Sequence, residues 1–133
     1  MIVYRFAETY LIAAEAALMT NRTTEAVAYI NAVRERAAST GNVANMRITN
    51  ATLTSGGIDF ILDERTRELV GENLRWWDLV RTGKLLERVK LYNGDAAPNI
   101  QPKHILRPIP LNQLNRTTTG EPYRNDIYFP AWN

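Results

Sequence analysis

The sequence predicts an all-α fold made of a helical hairpin, further helices and an irregular proline-rich C-terminal tail. Three observations carry this reading. Apolar residues recur at helical spacing through positions 1–40, a second helical stretch dense in charge occupies 58–90, and all six prolines lie at or after Pro98. With 133 residues and 45% hydrophobic content, the chain has the size of one domain or a part of one.

In "YRFAETYLIAAEAALM", Ala7, Leu11, Ala14 and Leu18 follow helical spacing, and Phe6, Tyr10, Ala13 and Ala17 repeat it on an adjoining stripe. Asn21 and the pair Thr23-Thr24 supply a turn and an N-cap. Ala26, Ile30, Val33 and Ala37 then form a second amphipathic helix that ends near Gly41. The pair is close in length to the ~34-residue unit of tetratricopeptide repeats, whose copies bury their faces by stacking on neighbours. Only one copy is present, and its first helix carries two apolar stripes with no capping residue. The expectation is therefore a tetratricopeptide-like hairpin belonging to something longer, or one that self-associates through that helix.

From Gly41 to Gly57 the chain is rich in Asn, Thr, Ser and Gly without a period, which predicts a surface loop. A third helix is expected after it, with Thr54 or Ser55 as its cap and Ile58, Ile61, Leu62 and Leu69 on one side. Gly71 or Asn73 loosens it before "RWWDLVRTGKLLERV", where Trp76, Leu79 and Val80 predict a fourth helical segment interrupted at Gly83. The prolines rule out a further bundle of the same kind over 98–133. That tail reads as extended, with a rigid step at "RPIP", a short helix after it and four aromatics near the end.

Sixteen basic residues against fourteen acidic ones give a net charge of +2, spread without a basic block, so composition offers no nucleic-acid footprint. Only Lys84, Lys90 and Lys103 are lysine; the rest of the basic set is arginine, which pairs with carboxylates through a planar fork. Absence of cysteine removes disulfides, thiolate catalysis and cysteine metal sites from this chain. The apolar run Tyr10 to Met19 carries Glu15 and lacks a basic leader, so it reads neither as a signal peptide nor as a membrane span.

Arg65 falls on the stripe of Ile58, Leu62 and Leu69, where an apolar residue is expected, and is predicted to be at least partly buried. Glu64 and Glu68 lie near it in sequence, Glu72 and Arg75 continue the alternation of sign, and Glu8 and Glu15 share one face of the first helix. These residues are expected to form a salt-bridge network between helices. The rival is a glycosidase, with two carboxylates as acid and base, but dense arginine keeps carboxylates ionised whereas a general acid needs a raised pKa. Trp76 and Trp77 point to different sides of a helix, so at most one reaches the core. Trp77 is then the single candidate platform for a sugar ring. His104, the one histidine, has no acidic neighbour and reads as a surface or tail-packing residue. No metal motif, phosphate loop, cofactor motif or activated nucleophile is present.

Three stretches resemble one family, in the right order. "YRFAETYLIAAEA" with "YINAVRERA" is similar to its R-[YF]-A-E-x-x-L-x-x-A-E-A and L-N-x-V-R-x-R-A segments. "ILDERTRELVGENLRWWDLVRTGK" resembles I-x-x-E-R-x-x-E-[LF]-x-x-E-G-x-R-[WF]-x-D-L-x-R-x-G, with Asn73 in place of Gly. "RPIPLNQLN" resembles the P-I-P-x-x-E-[LI] element, with Gln113 in place of Glu. The family so resembled is SusD/RagB, surface glycan-binding lipoproteins that work with TonB-dependent outer-membrane transporters, and the likeness is to its C-terminal part.

The resemblance implies a much longer protein at the cell surface, anchored by a lipidated cysteine in an N-terminal region outside this chain. It also implies an oligosaccharide site built largely elsewhere, and a scaffold role for Glu64, Arg65, Glu68, Arg75, Trp76, Asp78 and Arg81. The expected function is non-enzymatic capture of oligosaccharide for a transporter, with a cytoplasmic helical-repeat scaffold for proteins as the rival reading.

Overall fold

The computed structural model describes residues 5–120; the closing aromatic stretch lies outside them. Among the described residues there are seven α-helices, one 3-10 turn and no strand: α1 Phe6–Met19, α2 Thr23–Ala37, α3 Val43–Met46, α4 Asn50–Glu68, α5 Arg75–Arg81, α6 Leu85–Tyr92 and α7 Leu111–Arg116, with the turn at Pro102–Ile105. The fold is all-α, as predicted. The chain forms two compact units, Met1–Asp78 and Leu79–Asn133.

In the first unit α1 and α2 form the hairpin. Asn21 makes the turn by taking a left-handed conformation at φ 59°. The Asn21 amide then donates to Leu18 O at 3.0 Å and the Arg22 amide to Ala17 O at 2.8 Å, a crossed pair that satisfies the last carbonyls of α1. Neither Thr23 nor Thr24 caps α2, contrary to expectation. The N-cap position is Arg22 without a side-chain bond, and the Thr24 hydroxyl accepts from Asn50 Nδ2 at 2.9 Å instead.

The stretch 41–57 is not a loop. Thr49 caps α4 through a reciprocal bond with Thr52, and the helix begins at Asn50, well before the caps predicted at Thr54 or Ser55. Composition misleads here because Thr, Ser and Asn favour caps and turns when nothing holds them in a helix. In this case Leu53 is fully buried and anchors the first two turns. The helix continues across Gly57 with a kink, at φ 53° and ψ −141°, a conformation open to glycine almost alone. Adding a Cβ at the preceding Gly56 would bring it within 2.7 Å of Phe60 Cβ.

Leu11 and Ala14 of α1, Ala26, Ile30 and Val33 of α2, and Leu53 and Ile61 of α4 build the core, with Ile48 and Leu69 at its edges. Alanines at 14, 17 and 26 let helix backbones approach closely, which explains the small residues on both hairpin stripes. Only half of the second α1 stripe is used. Ala17 is buried and Ala13 half-buried, but Phe6 is 81% exposed and Tyr10 also faces solvent. The side-chain amide of Asn31 brackets Ile48, donating to its carbonyl at 3.1 Å and accepting from its amide at 2.8 Å.

In the second unit, Gly83 at φ 70° ends α5 with the same crossed pair as Asn21: its amide donates to Val80 O at 3.0 Å and that of Lys84 to Leu79 O at 2.8 Å. Leu85 and Arg88 are buried on α6. His104 accepts from the Gln101 amide at its Nδ1, 2.9 Å away, and so caps the 3-10 turn. Pro110 then stands directly before α7, which is the short helix expected after "RPIP".

Candidate functional site

The charged residues of α4 meet their partners mostly across elements. Arg65 is 4% exposed. It reaches past its i+3 neighbour, donating from Nε to Asp78 Oδ2 at 2.6 Å, with Nη2 3.8 Å from Glu8 Oε1 on α1. Spacing along one helix suggested Glu68 as its companion; the structure gives Glu68 to Arg5 and Arg36, each 2.5 Å from Oε1. Arg5 also holds Glu72 at 2.7 Å and donates to the Glu68 carbonyl. Glu64 lies between Arg34 of α2 at 3.1 Å and Arg67, one helical turn along, at 2.6 Å.

Arg5, Arg34 and Arg36 were not singled out by spacing. A signal existed in "VRERA", whose arginines stand two apart, so that one flanks the buried face of α2 and the other reaches around its exposed side. Of the remaining predicted residues, Arg75 donates from Nη1 to Leu62 O at 2.9 Å, Glu15 is half-buried and Arg81 is exposed. Trp76 is half-buried and Trp77 is 60% exposed. Their rings meet edge to face with centroids 4.7 Å apart.

This wiring sets the chemistry of the carboxylates. Burial pushes the Glu68 carboxyl up, but hydrogen bonds from Arg5 and Arg36 outweigh it and hold the group below the ordinary glutamate value. The same bonds, to Glu72 first and then Glu68, keep the Arg5 guanidinium above its usual value. A carboxylate held ionised in this way is a poor proton donor. Among the described residues no cluster of three His, Asp or Glu is arranged to hold a metal ion, and no helix is long and apolar enough to cross a membrane.

Among the described residues, two buried donors, Arg34 Nε and Arg65 Nη1, have no acceptor. Leaving such a group unsatisfied costs about 1–3 kcal/mol. Beside Arg65, the turn after α4 encloses a cavity of about 260 Å³ lined by Leu69, Val70, Leu74, Asn73 and Asp78 among others. Gly71 and Asn73 shape that turn with φ of 81° and 61°.

The SusD family profile matches residues 1–128. Among curated proteins, the chain is 41% identical over 116 residues to SusD-like protein P25 of Formosa agariphila, covering 85% of this chain and 21% of that relative. It is 37% identical over 98 residues to SusD-like protein P38 of the same organism, covering 71% and 19%, and 36% identical over 125 residues to its SusD-like protein P2, covering 91% and 25%. The chain thus spans 19–25% of the length of these relatives. No solved structure gives a significant match.

Proposed function

The chain belongs to the SusD family, and from that premise we propose that the whole protein is a lipoprotein of the outer-membrane surface. It captures oligosaccharide there without cleaving it and delivers it to a TonB-dependent transporter. These 133 residues act mainly as its helical scaffold.

The observation that best supports the scaffold role is the buried Arg65–Asp78 pair at 2.6 Å, in a setting where Glu64 and Glu68 are also held by arginines. Groups tied to one another in this way hold helices in register and are not available to a ligand. Removing one partner of a buried pair is far more costly than the pair is worth, which favours keeping it for structure. Family membership favours the surface role over a cytoplasmic protein-binding scaffold.

Titrating the whole protein with oligosaccharides tests the division of labour. Trp77→Ala should leave affinity unchanged; a loss of about tenfold, equal to ~1.4 kcal/mol, would make Trp77 a sugar platform and move part of the capture site onto α5. The exposed ring of Trp77, braced edge-on by Trp76, is the observation that favours this second reading. New reducing ends released from polysaccharide, lost in Glu64→Gln or Glu68→Gln, would overturn the non-enzymatic reading.

A further inference from the structure

Asn93 is the one asparagine in this chain that is followed by glycine. It stands just past the C-terminus of α6 and is exposed, as is Gly94, where an added Cβ would meet open space. The Gly94 amide makes no hydrogen bond among the described residues. A main-chain nitrogen beside an asparagine carboxamide is a nucleophile next to an electrophile, and glycine hinders the attack least because it has no side chain.

The turn after α6 restrains this chemistry without preventing it. With φ at −123° and ψ at 86°, the Gly94 nitrogen lies on the side of the Cα–C bond away from the Asn93 side chain. Bringing it to Cγ requires rotation about that bond. The rotation breaks the hydrogen bonds from the Ala97 amide to Asn93 O at 2.8 Å and from the Ala96 amide to Asn93 Oδ1 at 3.0 Å. Each such bond at an exposed helix end contributes little, and ends of this kind open far more readily than a core. The helix has only 8 residues, and Leu91 and Tyr92 in its last turn face solvent, so little packing holds the turn shut.

We propose that Asn93–Gly94 is a site of spontaneous covalent modification, at which the folded protein converts asparagine to aspartate and iso-aspartate. In the opened turn the Gly94 nitrogen bonds to Asn93 Cγ. Its proton and the side-chain amino group leave together as ammonia, and a five-membered imide forms. Water then splits the imide: attack at Cγ leaves aspartate, and attack at the main-chain carbonyl leaves iso-aspartate, whose main chain runs through Cγ. Water is the sole co-reactant, and nothing is oxidised or reduced. Either product puts a carboxylate at the C-terminal end of α6, close in sequence to Asp95, where the helix dipole disfavours negative charge. Iso-aspartate also lengthens the main chain by one methylene and displaces the carbonyl to which the Ala97 amide donates.

The test incubates the whole folded protein in neutral buffer made with heavy-oxygen water and follows it by peptide mapping. The peptide containing residue 93 should exchange its amide for a carboxyl carrying one labelled oxygen, in two separable forms. Its rate should lie about ten- to a hundredfold below that of the same protein unfolded in urea. Gly94→Ala, which has open space and no left-handed φ to contend with, should slow conversion of the folded protein further by at least about tenfold. Absence of product from the folded protein after the unfolded one has converted fully many times over would mean that the turn stays shut, and would overturn the proposal. A rate unchanged in Gly94→Ala would overturn it too, because the Gly94 nitrogen would then not be the attacking group.

Discussion

Both units leave some large apolar side chains exposed, but among the described residues the largest ones completely withdrawn from solvent, Leu11, Ile30, Leu53, Ile61 and Leu62, all lie in the first unit, while the second buries Leu79 and Leu85 and exposes Leu91, Tyr92, Leu106 and Leu111. Both units contain apolar side chains in quantity; they differ in the length of regular helix that carries them. Helices of 14, 15 and 19 residues in the first unit present whole stripes to one another. Helices of 8 and 6 residues, separated by prolines, cannot each bury a stripe. The second unit relies on local closures instead: the Gly83 turn, the Asn93 side chain accepting from the Ala96 amide at 3.0 Å, and the His104 cap. Burial and ion pairing therefore concentrate the energetic sensitivity of the chain before Leu79.

This contrast can be broken by substitution. Arg65→Leu leaves Asp78 and Glu8 buried without their guanidinium and should destabilise by about 3–5 kcal/mol, read as a fall in the denaturation midpoint; an unchanged midpoint would mean the pair carries no structural role. Leu53→Ala should cost about 2–5 kcal/mol, while Leu111→Ala on the exposed surface of α7 should stay within about 0.5 kcal/mol. Equal effects of the last two in chemical denaturation would abolish the distinction between the units. Gly57→Ala forces a Cβ into a conformation reserved for glycine and should cost about 1–3 kcal/mol, with lower helicity by circular dichroism.

Acid sharpens the same comparison with a smaller effect. Because the folded-state pKa of Glu68 is depressed, its stabilising contribution is complete above the ordinary glutamate value of about 4.3. It is lost as pH falls through the lower folded value. Thermal melts between neutral pH and this acid range should therefore show a loss of stability that is shallower in Glu68→Gln.

Much of this architecture is legible in the sequence, and the illegible parts share a cause. Periodicity placed the hairpin, the break at Gly71 and Asn73, the interruption at Gly83 and the burial of Arg65, because each depends on residues within a few positions. The partners of Arg65 are Asp78 and Glu8, one across a turn and one on another helix, and a helical period says nothing about either. The start of α4 was missed for a related reason. Thr49, Asn50 and Thr52 have the composition of a loop, and only the burial of Leu53 against α1 and α2 makes them helical. Glu64 was identified from its neighbours, but its bond to Arg34 depends on how α2 packs on α4.

The two bonds from Asn31 to Ile48 have a practical outcome for engineering. They copy the pairing of one rung of a β-ladder and hold the residues just before α4 against α2, while the bend around Gly41, inside the segment they close, is exposed and has open space about it. A short tag or fluorophore-bearing peptide inserted after Gly41 should leave the melting temperature nearly unchanged. The same insertion between Ile48 and Thr49 should abolish cooperative unfolding, which makes Gly41 the preferred attachment point for labels on this chain.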